Sequence, residues 1–300
     1  MSSVERKQRG VDRRDFITGT AAGAVGGMVI GGAGVMHAAE TPAETPRSTP
    51  GGRVSYRPMS AETVQMVGHQ SEKIDAYLAR PSAPGAYPGV VVIHHMPGWD
   101  EMTMEITRKF AHHGYAAICP NLHFREGKDT PEANSASVRA AGGMPDARTM
   151  GDVEGAIKYL RAQRYLNGKV GIIGYCSGGR QVYLAACTLK GIDAAVACYP
   201  GGVAEGPVRL TPRQPVDPLD YTKDLTCPLL WLSGKEDKRP SPEHVAKAEA
   251  ELKKWGKTYE FQTYDNTGHA FFDVSRASYR PVAAVDGWKK VFQWFDKYLR

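Results

Sequence analysis

The sequence predicts an α/β fold: a mostly parallel central sheet with helices on both faces, in a single domain. Three observations carry this expectation. Strand-like apolar runs alternate with helical patterns from about residue 89 onward, and parallel neighbours need crossover connections, which are usually helices. The run Gly89-Val90-Val91-Val92-Ile93 is continuously apolar, as a strand buried on both faces must be. Two irregular stretches, 120–146 and 200–225, are each too short to bury a core of their own, and no internal repeat divides the chain.

Taken in order, the segments at about 63–69 and 73–79 flank a short polar turn and read as an antiparallel hairpin. The strand 89–93 comes next, then a helical pattern at about 101–113 and a strand at 115–119. After the irregular stretch 120–146, which is rich in Pro, Gly, Asn and Arg, helical pattern resumes at about 148–164. A strand at 169–175, a helix at about 178–188 and a strand at 193–198 lead into the second irregular stretch. The strand Pro228-Leu229-Leu230-Trp231-Leu232, a helix at 242–255, a strand at 258–264 and a helix at about 282–298 complete the series. Ligands of such sheets bind beyond the C-terminal strand ends, so 120–146 and 200–225 are expected to rim the site.

Of the 300 residues, 42% are hydrophobic and 23% charged, an ordinary globular balance that argues against disorder. The first forty residues differ. Arg13-Arg14-Asp15-Phe16-Ile17 precedes an uncharged stretch, Phe16 to Met36, that contains seven glycines, and small residues follow at Ala38-Ala39. The stretch is long enough for a membrane span, but its weak hydrophobicity and the paired arginines favour a twin-arginine export signal cleaved near Ala38 or Ala39. Residues 1–39 are therefore expected to be a signal peptide read by the twin-arginine translocase, 40–52 a proline-rich linker, and 53–300 the folded domain. That assignment predicts a periplasmic or secreted protein with no stable membrane partner. Residues 1–39 hold five Arg or Lys and three acids, so they supply +2 of the formal charge of +6 and leave +4. A residue of +4 with no basic run excludes nucleic acid as an expected partner.

The five cysteines, Cys119, Cys176, Cys187, Cys198 and Cys227, form no CxxC pair and no Cys/His ligand spacing, so neither a disulfide framework nor a metal site is expected. Cys119 and Cys198 lie in apolar runs and read as small buried hydrophobes. Cys176 is different. It sits in Gly174-Tyr175-Cys176-Ser177-Gly178-Gly179, between an apolar strand and a helical segment. A nucleophile on a sharp strand-to-helix elbow needs small residues two before and two after it, because Cβ atoms there would collide. Gly174 and Gly178 meet that need around Cys176, whereas centring on Ser177 would put the bulky Tyr175 in a crowded place. A glycine-rich turn with an inert buried cysteine explains the hexapeptide alone equally well. The partners have to decide.

A cysteine nucleophile is helped by a histidine that holds its proton, and the histidine by a carboxylate that sets its tautomer. On this architecture the order is nucleophile, acid, histidine. Only His244 and His269 follow Cys176. His244 lies in a polar helical context, while His269 lies in the turn Asp265-Asn266-Thr267-Gly268-His269 directly after a strand, where a loop histidine belongs. Asp237 follows the strand 228–232 and is the expected acid, with Glu236 its close rival.

With these residues in place, the chain resembles the dienelactone hydrolase (carboxymethylenebutenolidase) family of the α/β-hydrolase fold over nearly everything from about 60 to 299. The similarity lies in the Gly-x-Cys-x-Gly-Gly elbow at 174–179, the acid Asp237, the pair Gly268-His269, and the segment from Gly114 to Leu122, in which Asn121 replaces a common aspartate. A cysteine at the elbow is specific, since most branches of this fold use serine. The resemblance implies a hydrolase without metal or organic cofactor. Cys176 would attack an ester or lactone carbonyl, His269 would relay the proton, and water would hydrolyse a thioester, with the backbone N–H groups of Met96 and Ser177 as the oxyanion hole.

Two departures qualify what is carried over. In His94-His95-Met96-Pro97-Gly98-Trp99-Asp100, His95 stands where the family has a glutamate that helps to deprotonate the cysteine. A protonated His95 is expected to tune the thiol by charge, whereas a glutamate takes the proton. After the histidine, Phe271-Phe272-Asp273 replaces a stretch in which the family carries an arginine, and an aspartate there would repel an anionic substrate. Arg139, Arg148 and Arg276 are candidates to compensate, and Trp99, His123 and Phe272 are candidates for a more apolar substrate pocket. The rival expectations are a non-catalytic periplasmic small-molecule-binding protein on a hydrolase scaffold and a redox role for Cys176.

Overall fold

The computed structural model describes residues 57–127 and 130–300; the expected signal and linker lie outside the described residues. The chain opens with the hairpin β1 (Met59–Val67) and β2 (Lys73–Pro81), paired from Met59 opposite Pro81 to Val67 opposite Lys73. β1 starts four residues earlier than its apolar pattern suggests. It is a largely exposed edge strand, so the backbone ladder to β2 holds its first residues in place of apolar side chains.

The strands β3 (Tyr87–Ile93), β4 (Ala116–Pro120), β5 (Leu166–Tyr175), β6 (Ala194–Cys198), β7 (Leu229–Gly234) and β8 (Tyr259–Tyr264) complete one eight-stranded sheet in the order β1-β2-β4-β3-β5-β6-β7-β8. β1–β2 and β2–β4 are antiparallel, and every other pairing is parallel. All seven residues of β3 are buried, as its continuous apolar run requires. Its side chains alternate between two cores. Val91 and Ile93 face α3 (Asp146–Arg161), α4 (Ser177–Thr188) and α5 (Pro242–Lys254), and Val90 and Val92 face α1 (Glu101–His112) and α6 (Pro281–Leu299). Helices therefore cover both faces.

Local chemistry sets the helix starts. Asp100 caps α1 by accepting the Thr103 N–H at 3.0 Å, and Ser241 caps α5 in a capping box with His244. His244 is thus accounted for structurally. The stretch 120–146 is not wholly irregular: it contains α2 (Pro131–Ala140), which buries only Ser135 and Val138 and so lacks an apolar stripe. Its start signals are nevertheless present, with Thr130 accepting the Ala133 N–H and Pro131 in the first turn. The stretch 200–225 holds two short 3-10 turns, Pro207–Arg209 and Pro218–Asp224. A buried ion pair ties it down. Arg180 of α4 donates to both carboxylate oxygens of Asp146 in α3 at 2.5 and 3.0 Å, and to the Val216 carbonyl at 2.8 Å. No helix among the described residues is long and apolar enough to cross a membrane.

Candidate active site

β5 ends at Tyr175 and α4 begins at Ser177, so Cys176 alone makes the turn. It does so at φ +55° and ψ −118°, a conformation that L-residues rarely adopt. The turn is held by the Cys176 N–H donating to the Cys198 carbonyl at 3.0 Å and by the Arg180 N–H donating to the Cys176 carbonyl at 3.3 Å. Close approach dictates the glycines: a Cβ at Gly174 would run into the Gly178 carbonyl, and one at Gly178 into the carbonyls of Ile93 and His94. This places the thiol at the N-terminus of a helix, where unpaired N–H groups and the helix dipole favour negative charge.

The acid and the histidine come from neighbouring loops. Asp237 lies three residues past the end of β7 and is 4% exposed, and His269 follows β8. One Asp237 oxygen, Oδ2, lies 2.8 Å from His269 Nδ1, and the other accepts the Arg239 N–H at 2.7 Å. With Nδ1 given to Asp237, Nε2 is the nitrogen left for the thiol. The edge of the His269 ring packs on Tyr199, 5.0 Å between centroids. Tyr199 is a buried residue at the end of β6 with φ +38°.

The two loops also touch each other. The Thr267 carbonyl accepts the Glu236 N–H at 2.9 Å, and a Cβ at Gly234 would strike that same carbonyl. Gly234→Ala is therefore expected to cost roughly 1–3 kcal/mol of stability and to lower turnover with it, read as a fall in Tm beside a kcat measurement. An unchanged Tm would show that the loops separate freely.

Charge completes the site. Burial opposes ionisation of Cys176, but the hydrogen bond and charge of His269, the Ser177 N–H and the Arg239 guanidinium together hold the thiol below its ordinary pKa. Burial likewise opposes the His269 imidazolium, yet the hydrogen bonds to Asp237 and Cys176 outweigh it and raise His269 to about 10. The remaining cysteines are buried, and burial raises the pKa of all four.

Cys176, Ser177, Met96, Asp237 and His269 all line one cavity of about 760 Å³, together with Arg139, Arg209 and Arg239. Sequence reasoning missed Arg239 and the side chain that holds it. Glu205, from the 200–225 stretch, accepts from Arg239 Nε at 2.5 Å and lies 3.3 Å from Arg209 Nε. The closeness of Arg239 to Asp237 was a usable signal; a carboxylate 34 residues away was not.

Position corrects the expectations for His95 and His123, while Trp99 and Phe272 fall on a neighbouring cavity. His95 is turned to Asp100, its Nε2 2.6 Å from Oδ2, and is not among the groups that draw the thiol down. Burial opposes the Asp100 charge, but His95 and Thr103 hold that carboxyl at about 2. Trp99, His123 and Phe272 do not line the Cys176 cavity. Trp99 donates its indole N–H to the Cys119 carbonyl at 3.1 Å, and Phe272 packs among Phe271, Tyr175 and Trp288. His123 is buried beneath Gly98, edge-on to His94 at 4.7 Å, and burial lowers its pKa to about 4.

Asp273 does not present a free charge either. It is 2% exposed and accepts from Arg276 Nε at 2.7 Å and from Ser275 Oγ at 2.6 Å. Of the proposed compensating arginines, Arg276 is thereby engaged, Arg148 pairs with Glu126, and Arg139 alone reaches the cavity. No three His, Cys, Asp or Glu side chains among the described residues are grouped to hold a metal ion.

Comparison with known proteins matches residues 74–299 to the model of the dienelactone hydrolase family. A protein of Methylorubrum extorquens named "Putative carboxymethylenebutenolidase" is 32% identical over 232 residues, which cover 76% of this chain and 78% of that protein. A Bradyrhizobium protein named "Probable 2-oxo-3-(5-oxofuran-2-ylidene)propanoate lactonase" is 31% identical over 247 residues, 80% of this chain and 98% of that one. Among solved structures, that of "Putative Dienelactone Hydrolase from Klebsiella pneumoniae" superposes with a TM-score of 0.73 at 30% identity, covering 81% of this chain and all of the other.

Proposed function

The chain belongs to the dienelactone hydrolase family, and on that premise we propose that it hydrolyses an ester or lactone through Cys176, His269 and Asp237, by way of a thioester. The observation that carries this reading is the 2.8 Å approach of His269 Nδ1 to Asp237 Oδ2 in the cavity that also holds Cys176.

The chemistry proceeds from the ionised pair. The Cys176 thiolate attacks the carbonyl carbon, and the carbonyl π electrons move to oxygen, where the N–H groups of Ser177 and Met96 receive the charge. As the tetrahedral species collapses, His269 Nε2 gives its proton to the departing alkoxide, which in a lactone stays tethered to the acyl chain. Water then attacks the thioester, His269 takes a proton from it, and the thiolate leaves. Asp237 keeps the imidazole in the required tautomer throughout and stabilises its charged form. Arg239, held by Glu205, adds positive charge near the sulfur, and Tyr199 limits where the ring can swing.

The test is to trap the intermediate. When the protein is mixed with an excess of p-nitrophenyl acetate and quenched in acid, an acetyl group is expected on the peptide containing Cys176, accompanied by continuing release of acid in the unquenched reaction. An acetylated peptide without turnover would support the binding-protein alternative, and turnover with the acyl group elsewhere would remove Cys176 from the role.

A further inference from the structure

A second cavity, of about 1010 Å³, lies beside the one that holds Cys176. Its wall is formed largely by Trp99, Met102, Ile106, Phe272 and Trp288, contributed by α1, α6 and the loops after β3 and β8. The wall is braced in advance of any ligand. Trp99 is pinned to the Cys119 carbonyl, and the Phe272 ring meets the Trp288 ring edge-on at 5.3 Å. A preformed apolar wall of this size suits a hydrophobic ligand.

Most of the charged groups around it are already engaged with the protein; Glu132 and Arg139 of α2, both exposed, stand at its rim. Glu101 and Glu105 both pair with Arg108, Asp273 with Arg276, and the Lys109 ammonium sits 4.5 Å from the centre of the Trp288 ring. The surface left for a ligand along α1, α6 and the loop after β8 is therefore largely apolar. The two cavities are also continuous in chain and wall. Met96 lines the first, and Pro97 and Trp99 line the second; His269 lines the first, and Phe272 to Arg276 line the second; Arg139 of α2 lines both.

We propose that this second cavity receives the hydrophobic part of the substrate, so that esters bearing an extended apolar group are preferred over small ones. The inference rests on the hydrolase reading above and names its substrate class. An ester whose carbonyl lies at Cys176 extends past Arg139 along walls that both catalytic loops continue into. Apolar surface is removed from water along that path, and the gain grows with chain length.

The test measures kcat/KM for two series: p-nitrophenyl esters from acetate to octanoate, and acetate esters of alcohols from ethanol to octanol. In the native protein at least one series is expected to rise by about tenfold or more with chain length. Two substitutions at exposed positions on the wall challenge the assignment: Ala136→Trp fills the cavity, and Val274→Asp puts a charge in its apolar lining. Each is expected to lower the long-to-short ratio in that series by about tenfold. A flat profile in both series, or a ratio that neither variant moves, would overturn the inference while leaving the hydrolase reading standing. Failure to turn over any ester would overturn both.

Discussion

Replacing Cys176 with Ala is expected to lower kcat for p-nitrophenyl acetate by a factor on the order of 10⁴ or more, because in the proposed mechanism nucleophile, acid and histidine act as a unit and removing one forfeits most of what all supply. The protein should remain folded. Ala at 176 keeps a Cβ at the strained φ of +55° and changes none of the elbow's backbone hydrogen bonds, which come from Cys176 N–H and C=O. An unchanged Tm with lost turnover is thus the expected pair of results. Residual activity near that of the native protein would exclude covalent catalysis by this sulfur.

His269→Gln is expected to lower kcat by a factor on the order of 10³ or more and to change the pH dependence of the thiol. The sign follows from the two shifts. The thiol is held below its ordinary pKa chiefly by His269, and His269 is raised to about 10, so between those limits the pair is thiolate and imidazolium. Alkylation of Cys176 by iodoacetamide should rise with a midpoint below that of a free thiol, and kcat/KM should climb through the same region and fall as pH approaches about 10. The two limbs belong to the coupled pair. Without the imidazolium, burial is left as the largest influence on the sulfur, and the alkylation midpoint should move up. His95→Gln should leave that midpoint in place, since His95 is engaged by Asp100. A midpoint that follows His95 and ignores His269 would reverse the assignment of what primes the thiol.

The parts of the fold legible in the sequence were those whose signal is local. Buried strands such as β3 and β7 read as unbroken apolar runs, and the amphipathic helices around them as periodic ones. α2 was missed because it faces solvent and has almost no apolar stripe, so only its cap and first-turn proline marked it. The edge strand β1 was read short for a similar reason: its register is set by partner backbone atoms on β2, which no pattern within β1 reveals.

The site divides along the same line. The sequence alone determined the elbow, because only small residues fit around a strand-to-helix turn, and it put Cys176, an acid at Glu236 or Asp237, and His269 in order on successive loops. The approach of Asp237 to His269 chose between the two acids. Only the tertiary structure decided which charges meet. Asp100 takes His95, Arg276 takes Asp273, and Glu205 takes Arg239. It also decided that Trp99 and Phe272 line a cavity next to the thiol's own while His123 is buried behind Gly98. A turn constrains residues a few places apart through covalent geometry, whereas an ion pair or a cavity wall depends on how separate loops pack, and spacing along the chain carries little of that information.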